Sequence, residues 1–401
     1  MKKLLALLTA VLIVGSVFAV VSASEAGKLI IWADETRAPV LQQVAKSFEA
    51  AYGVPVEVQQ VGFGDIRGKL ATAGPKGEGP DIIIGAHDWL GELVQNGLIE
   101  PIVLPKNVIK DFDPVAIQAF SWGSKLYGLP YATECVALIY NKKLVPQVPA
   151  TFEDLLALAK KLTDPEAGKY GFLIPEPDPY HTFALFSAGG GYVFGKNPDG
   201  TLNPCDIGLD NAGAIAGAEL LAKMVKEGIE PPGSDYNTVT SLFNDGKLAM
   251  MIGGPWTLPN IQKAGIDYGV TPIPPINGHT PKVFVGVQGF MISAFSKNKV
   301  LANTFLKDFL VNKDVMLELY KQGQRPPAYL PALDEIKDNP DIQGFAASAA
   351  NGIPMPKIPQ MASVWGAWSN ALKLIINQKE DPATAMHDAV AQIKKLLNCK
   401  Q

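Results

Sequence analysis

An alternation of strand-like and helix-like segments near the start of the chain restricts the fold more than any other feature. Leu29 to Trp32 is typical of a strand, and apolar residues then recur at helical spacing from Val40 to Ala51. A second strand pattern from Val54 to Val61, a short helix near Asp65 to Ala73 and an apolar, β-branched run from Ile82 to Ile84 follow. This β-α-β-α-β order predicts a parallel sheet with helices packed on it.

Polar and aromatic groups come together directly after the last of these strands, at His87, Asp88 and Trp89. Ligands of open α/β sheets bind beyond the carboxyl ends of the strands, so Asp88 and Trp89 are predicted to lie at a ligand site. A carboxylate accepts hydrogen bonds from sugar hydroxyls, and an indole covers the C–H face of a pyranose. The pair therefore favours a carbohydrate ligand.

The amino terminus is typical of a secretory signal peptide. Two lysines precede an uncharged stretch from Leu4 to Val21, and Val21-Ser22-Ala23 fits a small-residue cleavage site. Residues 1–23 are therefore predicted to be removed, which leaves the mature chain free in the periplasm. Because the apolar stretch is almost long enough to span a bilayer, an uncleaved membrane anchor is the alternative.

The length of 401 residues exceeds the size at which one hydrophobic core keeps growing, so two lobes are predicted. The formal charge of −4 becomes −6 once Lys2 and Lys3 leave with the signal. A mildly acidic chain without a cluster of Lys and Arg argues against a nucleic-acid partner.

The three cysteines are too few and too scattered for a disulfide framework, and they allow one bridge at most. Cys135 is predicted to be a small buried hydrophobic residue in a strand. Cys399, near the end of the chain, is expected to be a free thiol.

Several kinds of catalytic or cofactor site are missing from the sequence. None of the histidines stands three or four residues from another, which argues against a metal site; they are His87, His181, His279 and His387. Gly62-Phe63-Gly64 starts like a dinucleotide-binding turn, but Arg67 occupies the place of the third glycine. Neither a phosphate-binding loop nor a Gly-x-Ser-x-Gly motif occurs. No cofactor is predicted.

A second α/β lobe is predicted to begin at a helix that Thr151 caps. Further on, Val283 to Val287 and Gln288 to Ile292 read as two strands or as one continuous strand, and Asp381 is predicted to cap the closing helix. Proline-rich runs indicate either hinge segments between lobes or plain surface loops. These runs are Pro272 to Pro275, Pro326-Pro327 and Pro354 to Pro359.

Aromatic residues and carboxylates are concentrated at predicted strand ends and loops. Alone, such a Trp more often lies in a core and such a carboxylate at the surface, but the set as a whole indicates a sugar site. Trp256 follows a Gly-Gly-Pro turn, and Trp365 and Trp368 share one helical face. The candidates are Glu35, Asp88, Trp89, Glu134, Asp178, Tyr180, Trp256, Trp365 and Trp368.

Motifs along the whole mature chain resemble those of the periplasmic maltose/maltodextrin-binding proteins. They are Gly79 to Ile83 with Ala86-His87-Asp88, Leu138 to Lys142, Gly253 to Trp256, Tyr268 to Val270, Phe284 to Val287 and Pro354 to Met361. The resemblance implies an α/β protein of two discontinuous lobes, joined by hinge strands, with the sugar held in the cleft. The lobes would comprise residues 24–132 with 286–335, and residues 133–285 with 336–401.

The resemblance also implies that the protein is a monomer that delivers its sugar to the membrane permease of an ABC importer, and that it is not an enzyme. It assigns roles in sugar binding to eight positions of this chain. Asp88 and Glu134 match hydroxyl acceptors, Tyr180, Trp256 and Trp365 match aromatic platforms, Asp178 lies near a family Glu, and Glu35 and Arg37 lie in a loop that supplies an acid and a base.

Three positions depart from the family pattern. Gly85 stands where relatives have Trp, Trp89 where they have Arg, and Ser369 where they have a second Arg. We expect Trp89 to stack on a glucosyl unit, which would shift the preferred length or linkage of the sugar.

Two other functions are compatible with these residues. A glycoside hydrolase would use two of four carboxylates as acid and base, at a separation that a sequence does not reveal; the four are Glu35, Asp88, Glu134 and Asp178. Alternatively, the same fold would bind trehalose or another oligosaccharide.

Overall fold

The computed structural model describes residues 27–399, so the predicted signal peptide and its cleavage site lie outside the described residues. The strands are β1 (Leu29–Ala33), β2 (Val56–Gln60), β3 (Ile82–Ala86), β4 (Ser121–Trp122), β5 (Lys125–Leu126), β6 (Leu129–Glu134), β7 (Ala137–Asn141), β8 (Tyr170–Leu173), β9 (Gly195–Lys196), β10 (Leu202–Asn203), β11 (Leu248–Gly253), β12 (Tyr268–Thr271), β13 (Phe284–Ile292) and β14 (Ile353–Pro354).

The helices surround these strands. They are α1 (Ala38–Tyr52), α2 (Ile66–Ala73), α3 (Leu90–Gln95), α4 (Lys106–Ile109), α5 (Pro114–Ala119), α6 (Phe152–Leu162), α7 (Pro179–Ala188), α8 (Ala212–Lys226), α9 (Tyr236–Asn244), α10 (Leu258–Lys263), α11 (Lys299–Thr304), α12 (Lys313–Gly323), α13 (Leu330–Ile336), α14 (Pro340–Ala349), α15 (Ala362–Ile376) and α16 (Pro382–Leu396). A π-helical turn at Phe305–Phe309 continues α11.

The first lobe is built on a six-stranded sheet in the order β14-β13-β3-β1-β2, with β6 also paired to β13. Strand β1 pairs in parallel with β2 and β3, which confirms the β-α-β-α-β prediction. Alternate side chains of β3 enter two different hydrophobic cores, Ile82 and Ile84 in one and Ile83 in the other. The strand is therefore covered on both faces, as a run of β-branched residues predicts.

Strand β13 is continuous over nine residues, so the one-strand alternative is correct. It pairs with β14 at its start and with β6 and β3 further on, with a register shift against β6 between Gln288 and Gly289. Phe284, its first residue, stacks on Phe183 of α7 at 3.9 Å between ring centroids. The strand therefore connects the first sheet to the second lobe.

The predicted lobe boundaries at 132/133 and 285/286 fall inside β6 and β13, and the one at 335/336 falls at the end of α13. Strand β14, which those boundaries assign to the second lobe, pairs with the first sheet. The rest of the division remains a prediction.

The second lobe contains a four-stranded sheet in the order β12-β7-β11-β8. Two of its helices begin at the predicted caps. The Thr151 hydroxyl accepts a hydrogen bond from the Asp154 amide at 3.1 Å, and the Asp381 carboxylate accepts one from the Thr384 amide at 3.1 Å. These side chains satisfy amide donors that have no partner within the first helical turn.

Cys205 and Cys399 form a disulfide, so the expectation of a free thiol at Cys399 was wrong. The bridge joins the segment after β10 to the segment after α16, across a separation of 194 positions. Cys135 is a buried free thiol, as predicted, but it lies between β6 and β7 and not within a strand. Between residues 27 and 399, no helix is both long and apolar enough to cross a bilayer.

Candidate functional site

His87, Asp88 and Trp89 form a buried 3₁₀ turn between β3 and α3. Each ring nitrogen of His87 has a backbone partner: Nδ1 accepts from the Val287 amide at 3.0 Å, and Nε2 donates to the Met355 carbonyl at 3.1 Å. Burial lowers the pKa of His87 to about 4, so the imidazole is neutral at pH 7. His87 therefore supports the turn through its two backbone partners.

Asp88, at the end of β3, is hydrogen-bonded to a helix far along the chain. The Trp365 Nε1–H of α15, a helix that packs against α7 and α8, donates to Asp88 Oδ2 at 3.0 Å. Burial raises the pKa of Asp88 to about 6, although the Arg67 guanidinium and the Trp365 hydrogen bond act in the opposite direction. A carboxyl and an indole that lie 277 positions apart in the chain are therefore in direct contact.

The neighbours His87 and Asp88 should make opposite contributions to the pH dependence of stability. The pKa of His87 falls from its usual 6.5 to about 4, so the stability that it contributes above pH 6.5 is lost as the pH falls towards 4. The pKa of Asp88 rises from 3.8 to about 6, so its contribution is present below pH 3.8 and is lost as the pH rises through 6. In the wild type the pH dependence of stability that His87 contributes largely cancels the one that Asp88 contributes.

We therefore expect Asp88→Asn to lose stability relative to the wild type on acidification. Between pH 7 and pH 4 the difference in the free energy of unfolding should grow by about 2.5 kcal/mol, since each pKa unit corresponds to about 1.4 kcal/mol and the unfolded carboxyl is still partly ionised at pH 4. Urea unfolding at pH 7, 6, 5 and 4 measures it, and His87→Gln, which should show the reverse trend, is the matched control. Parallel stability curves for wild type and Asp88→Asn would contradict the assignment.

Glu134, at the end of β6, lies in a buried cluster of charged and polar groups. Its carboxylate accepts hydrogen bonds from Arg325 Nε at 2.8 Å and from Gln288 Nε2 at 2.6 Å, and Arg37 Nη2 lies 3.5 Å away. Arg37 also pairs with Asp34. Both oxygens of Glu134 thus have protein partners, so a ligand hydroxyl would join an existing network.

Burial alone would raise the pKa of Asp34, but the charges of Arg37 and Arg325 and a hydrogen bond from Thr36 keep it well below its usual range. For Arg37, burial would lower the pKa, but Asp34, Tyr131 and Glu134 raise it. Both groups are therefore charged at pH 7.

Aromatic residues of the second lobe lie next to this cluster. Trp256 is half-buried in a 3₁₀ turn after β11, and its ring centroid lies 5.8 Å from Arg325 Cζ and 6.1 Å from the Tyr180 ring. A Cβ on Gly254 would overlap the Trp256 indole, so the glycine of this turn makes room for the ring. The Tyr180 hydroxyl donates to the Phe284 carbonyl at 3.3 Å.

Asp178 caps helix α7. Its carboxylate accepts hydrogen bonds from the Tyr180 amide at 2.7 Å and from His181 Nδ1 at 2.7 Å. Burial would raise the pKa of Asp178, but His181 and the backbone donors lower it below its usual value. The side chain holds the helix that carries Tyr180, and it is 43% exposed.

Two predicted aromatic contacts are not exposed to the cleft. Trp368 is 0% exposed and packs against Phe183 and Phe186, so it is a core residue. Trp89 is 2% exposed and contacts Phe63 and Arg67. In this structure Trp89 therefore presents no free ring face for the predicted stacking on a sugar.

Of the two residues predicted in the loop before α1, one lies in the buried charged cluster and the other does not. Arg37 is buried beside Glu134, whereas Glu35 is exposed on the turn before α1. Tyr236, at the start of α9, was not predicted; burial raises its pKa to about 12, and Arg325, Glu35 and Asp34 lie near enough to influence it.

Arg325 and Gln288 were also missed. Arg325 directly precedes the Pro326-Pro327 run that indicated a hinge, which is the only signal for it in the sequence.

Comparison with known proteins identifies the family. A family model described as "Bacterial extracellular solute-binding protein" matches residues 43–347. The chain belongs to the bacterial extracellular solute-binding proteins. This confirms the family resemblance and the two-lobe α/β fold predicted from the motifs.

Individual relatives cover almost the whole chain. A galactooligosaccharide-binding protein of Bacillus subtilis is 34% identical over 94% of this chain and 91% of its own. A maltotriose-binding protein of Pyrococcus abyssi is 36% identical over 91% of this chain and 80% of its own. The structure of a Thermus thermophilus maltotriose binding protein bound with maltotriose has a TM-score of 0.88 at 36% identity, covering 92% of this chain and 100% of that one.

Proposed function

We propose that this solute-binding protein captures maltodextrins, α-linked gluco-oligosaccharides, in the cleft between its lobes. The observation that carries the proposal is the hydrogen bond between Asp88 and Trp365, which the predicted division assigns to different lobes, in a chain that is closely similar in structure to a maltotriose-bound protein. Tyr180 and Trp256 add two half-buried rings beside Glu134.

The chemistry of these groups suits a neutral polyol. Aromatic rings cover the apolar C–H faces of the sugar, while carboxylates accept hydrogen bonds from its hydroxyls. Each hydrogen bond to a charged group contributes about 1.5 to 3 kcal/mol. Because these groups lie on both lobes, a bound sugar would favour the closed state, in which it touches both of them.

The proposal includes the cellular setting. The mature monomer would work in the periplasm and present its closed form to the membrane permease of an ABC importer. The Cys205–Cys399 disulfide supports a location outside the cytosol, since such bridges persist in oxidising compartments.

A glycoside hydrolase is disfavoured by the state of the carboxylates. Glu134 is paired with Arg325, Asp178 caps α7, and Glu35 is exposed. Asp88 is left without a free second carboxylate to act with it. We therefore propose that the protein is not an enzyme, and that it leaves bound maltotriose intact.

We expect Asp88→Asn to weaken maltotriose binding at least tenfold at pH 7, because it removes a charged hydrogen-bond acceptor. Isothermal titration calorimetry measures the affinity, and Asp334→Asn, at an exposed position of α13, is the matched control. Chromatography of the sugar afterwards tests for hydrolysis. Unchanged affinity in Asp88→Asn would contradict the proposed site, and released glucose would contradict the non-enzyme assignment.

The galactooligosaccharide-binding relative supports a second candidate ligand. A titration panel of maltose, maltotriose, maltotetraose, trehalose and a β-linked galacto-oligosaccharide distinguishes the two. If the galacto-oligosaccharide binds most tightly, the ligand of this protein is a galacto-oligosaccharide and not a maltodextrin.

A further inference from the structure

Four side chains of the first lobe form one continuous stack. Arg37 Cζ lies 5.3 Å from the centroid of the Phe63 ring, the Phe63 and Trp89 rings are 4.6 Å apart, and Arg67 Cζ lies 5.3 Å from the Trp89 ring. Cations and aromatic rings attract one another at these distances. The stack runs along the lobe from the Glu134 cluster to the turn that carries Asp88.

Both ends of the stack are anchored by carboxylates. Arg37 is held by Asp34 and lies next to Glu134. At the other end, Arg67 Nη1 donates to Glu92 at 2.7 Å. The positions of the two rings are thereby determined by charged groups on either side.

Trp89 is an inner member of the stack and fills a notch. A Cβ on Gly85 would overlap the six-membered ring of Trp89, so the indole occupies the space that a side chain at position 85 would need. With 2% of its surface exposed, Trp89 has no face to offer to a ligand. Trp89 instead supports Phe63 and Arg67, the two side chains that contact it.

Phe63 and Arg67 are more accessible to solvent than the other two members of the stack. Both are half-buried, and they lie on the β2–α2 connection and on α2. Arg67 Nε is buried and has no hydrogen-bond partner among residues 27–399. A buried donor without a partner is unfavourable unless a ligand or water supplies an acceptor.

We infer that Phe63 and Arg67, supported by Trp89, form the sugar-contacting surface of the first lobe. The inference rests on the proposed function. Phe63 presents to the sugar the part of its ring that Arg37 and Trp89 leave uncovered, and Arg67 donates hydrogen bonds to hydroxyls close to Asp88. Because Phe63 and Arg67 have fixed positions, they contact only a sugar unit that reaches them. The surface therefore contributes to the preference of the protein for a chain length and linkage of the sugar.

The test compares three variants by calorimetry with maltotriose and with the sugar panel. Phe63→Leu keeps an apolar side chain of similar size but removes the ring, Arg67→Met keeps the stem but removes the donors, and Trp89→Phe keeps an aromatic ring in the notch. Phe63→Leu and Arg67→Met should each weaken the affinity for the preferred sugar at least fivefold, by factors that differ between sugars. Trp89→Phe should change it less than fivefold.

Thermal unfolding without sugar establishes that each variant is folded; if Phe63→Leu is not, Phe63→Met takes its place. A loss below fivefold in both Phe63→Leu and Arg67→Met overturns the inference, as does a loss in Trp89→Phe equal to that in Phe63→Leu. Either result leaves the proposed function intact, provided that the wild type binds the sugar. If the wild type binds no sugar of the panel, the proposed function itself fails.

Discussion

Replacing Arg325 by Met should lower the free energy of unfolding by about 3 to 5 kcal/mol, the usual cost of leaving a buried charge without its partner. Arg325 Nε lies 2.8 Å from Glu134 Oε2, and both side chains are almost completely buried. Without the guanidinium, Glu134 keeps Gln288 and the more distant Arg37 as its side-chain partners among residues 27–399. Urea denaturation at pH 7 measures the change.

The exposed ion pair of Lys313 with Glu335 provides the matched control. Lys313→Met removes the same kind of charge where water can solvate the partner, so its effect should be close to the error of the measurement. The double variant Arg325→Met/Glu134→Gln should recover part of the stability, because no unpaired carboxylate remains. Equal losses in Arg325→Met and Lys313→Met would show that the cluster does not depend on Arg325.

Removal of the disulfide by Cys205→Ser with Cys399→Ser should lower the free energy of unfolding by about 4 kcal/mol. The bridge closes a loop of 194 positions, and the stabilisation from restricting the unfolded chain grows with loop length. The midpoint of urea unfolding, measured without reductant, records the difference.

A reductant supplies the control for this prediction. It should shift the midpoint of the wild type to that of the double serine variant and leave the variant unchanged. Cys135 is present in both proteins, so any effect on that thiol appears equally in both. Identical midpoints for the wild type with and without reductant would contradict the stabilising role of the bridge.

Much of the fold followed from local pattern. Thr151 and Asp381 cap helices because short polar side chains satisfy free amides within the next few residues, a relation that spacing alone reveals. The β-branched run at Ile82 to Ile84 indicated a strand covered on both faces, which the two cores confirm.

The unpredicted features depend on residues far apart in the chain. Glu134 meets Gln288 and Arg325 across separations of 154 and 191 positions, and no periodicity carries that information. The burial of Trp89 and Trp368 could not be predicted from the sequence either. An indole has the same sequence signature in a core as in a binding cleft, and only the surrounding structure decides how much of it is exposed.

The charges around Glu134 have a consequence for the kind of cargo that the cleft accepts. Two carboxylates, of Asp34 and Glu134, face two guanidiniums, of Arg37 and Arg325, so their formal charges cancel. An uncharged solute preserves that balance, whereas an ionic one would introduce an unmatched charge where water is scarce. Because dissolved ions screen buried pairs only weakly, the cleft should hold neutral cargo equally well at low and high ionic strength.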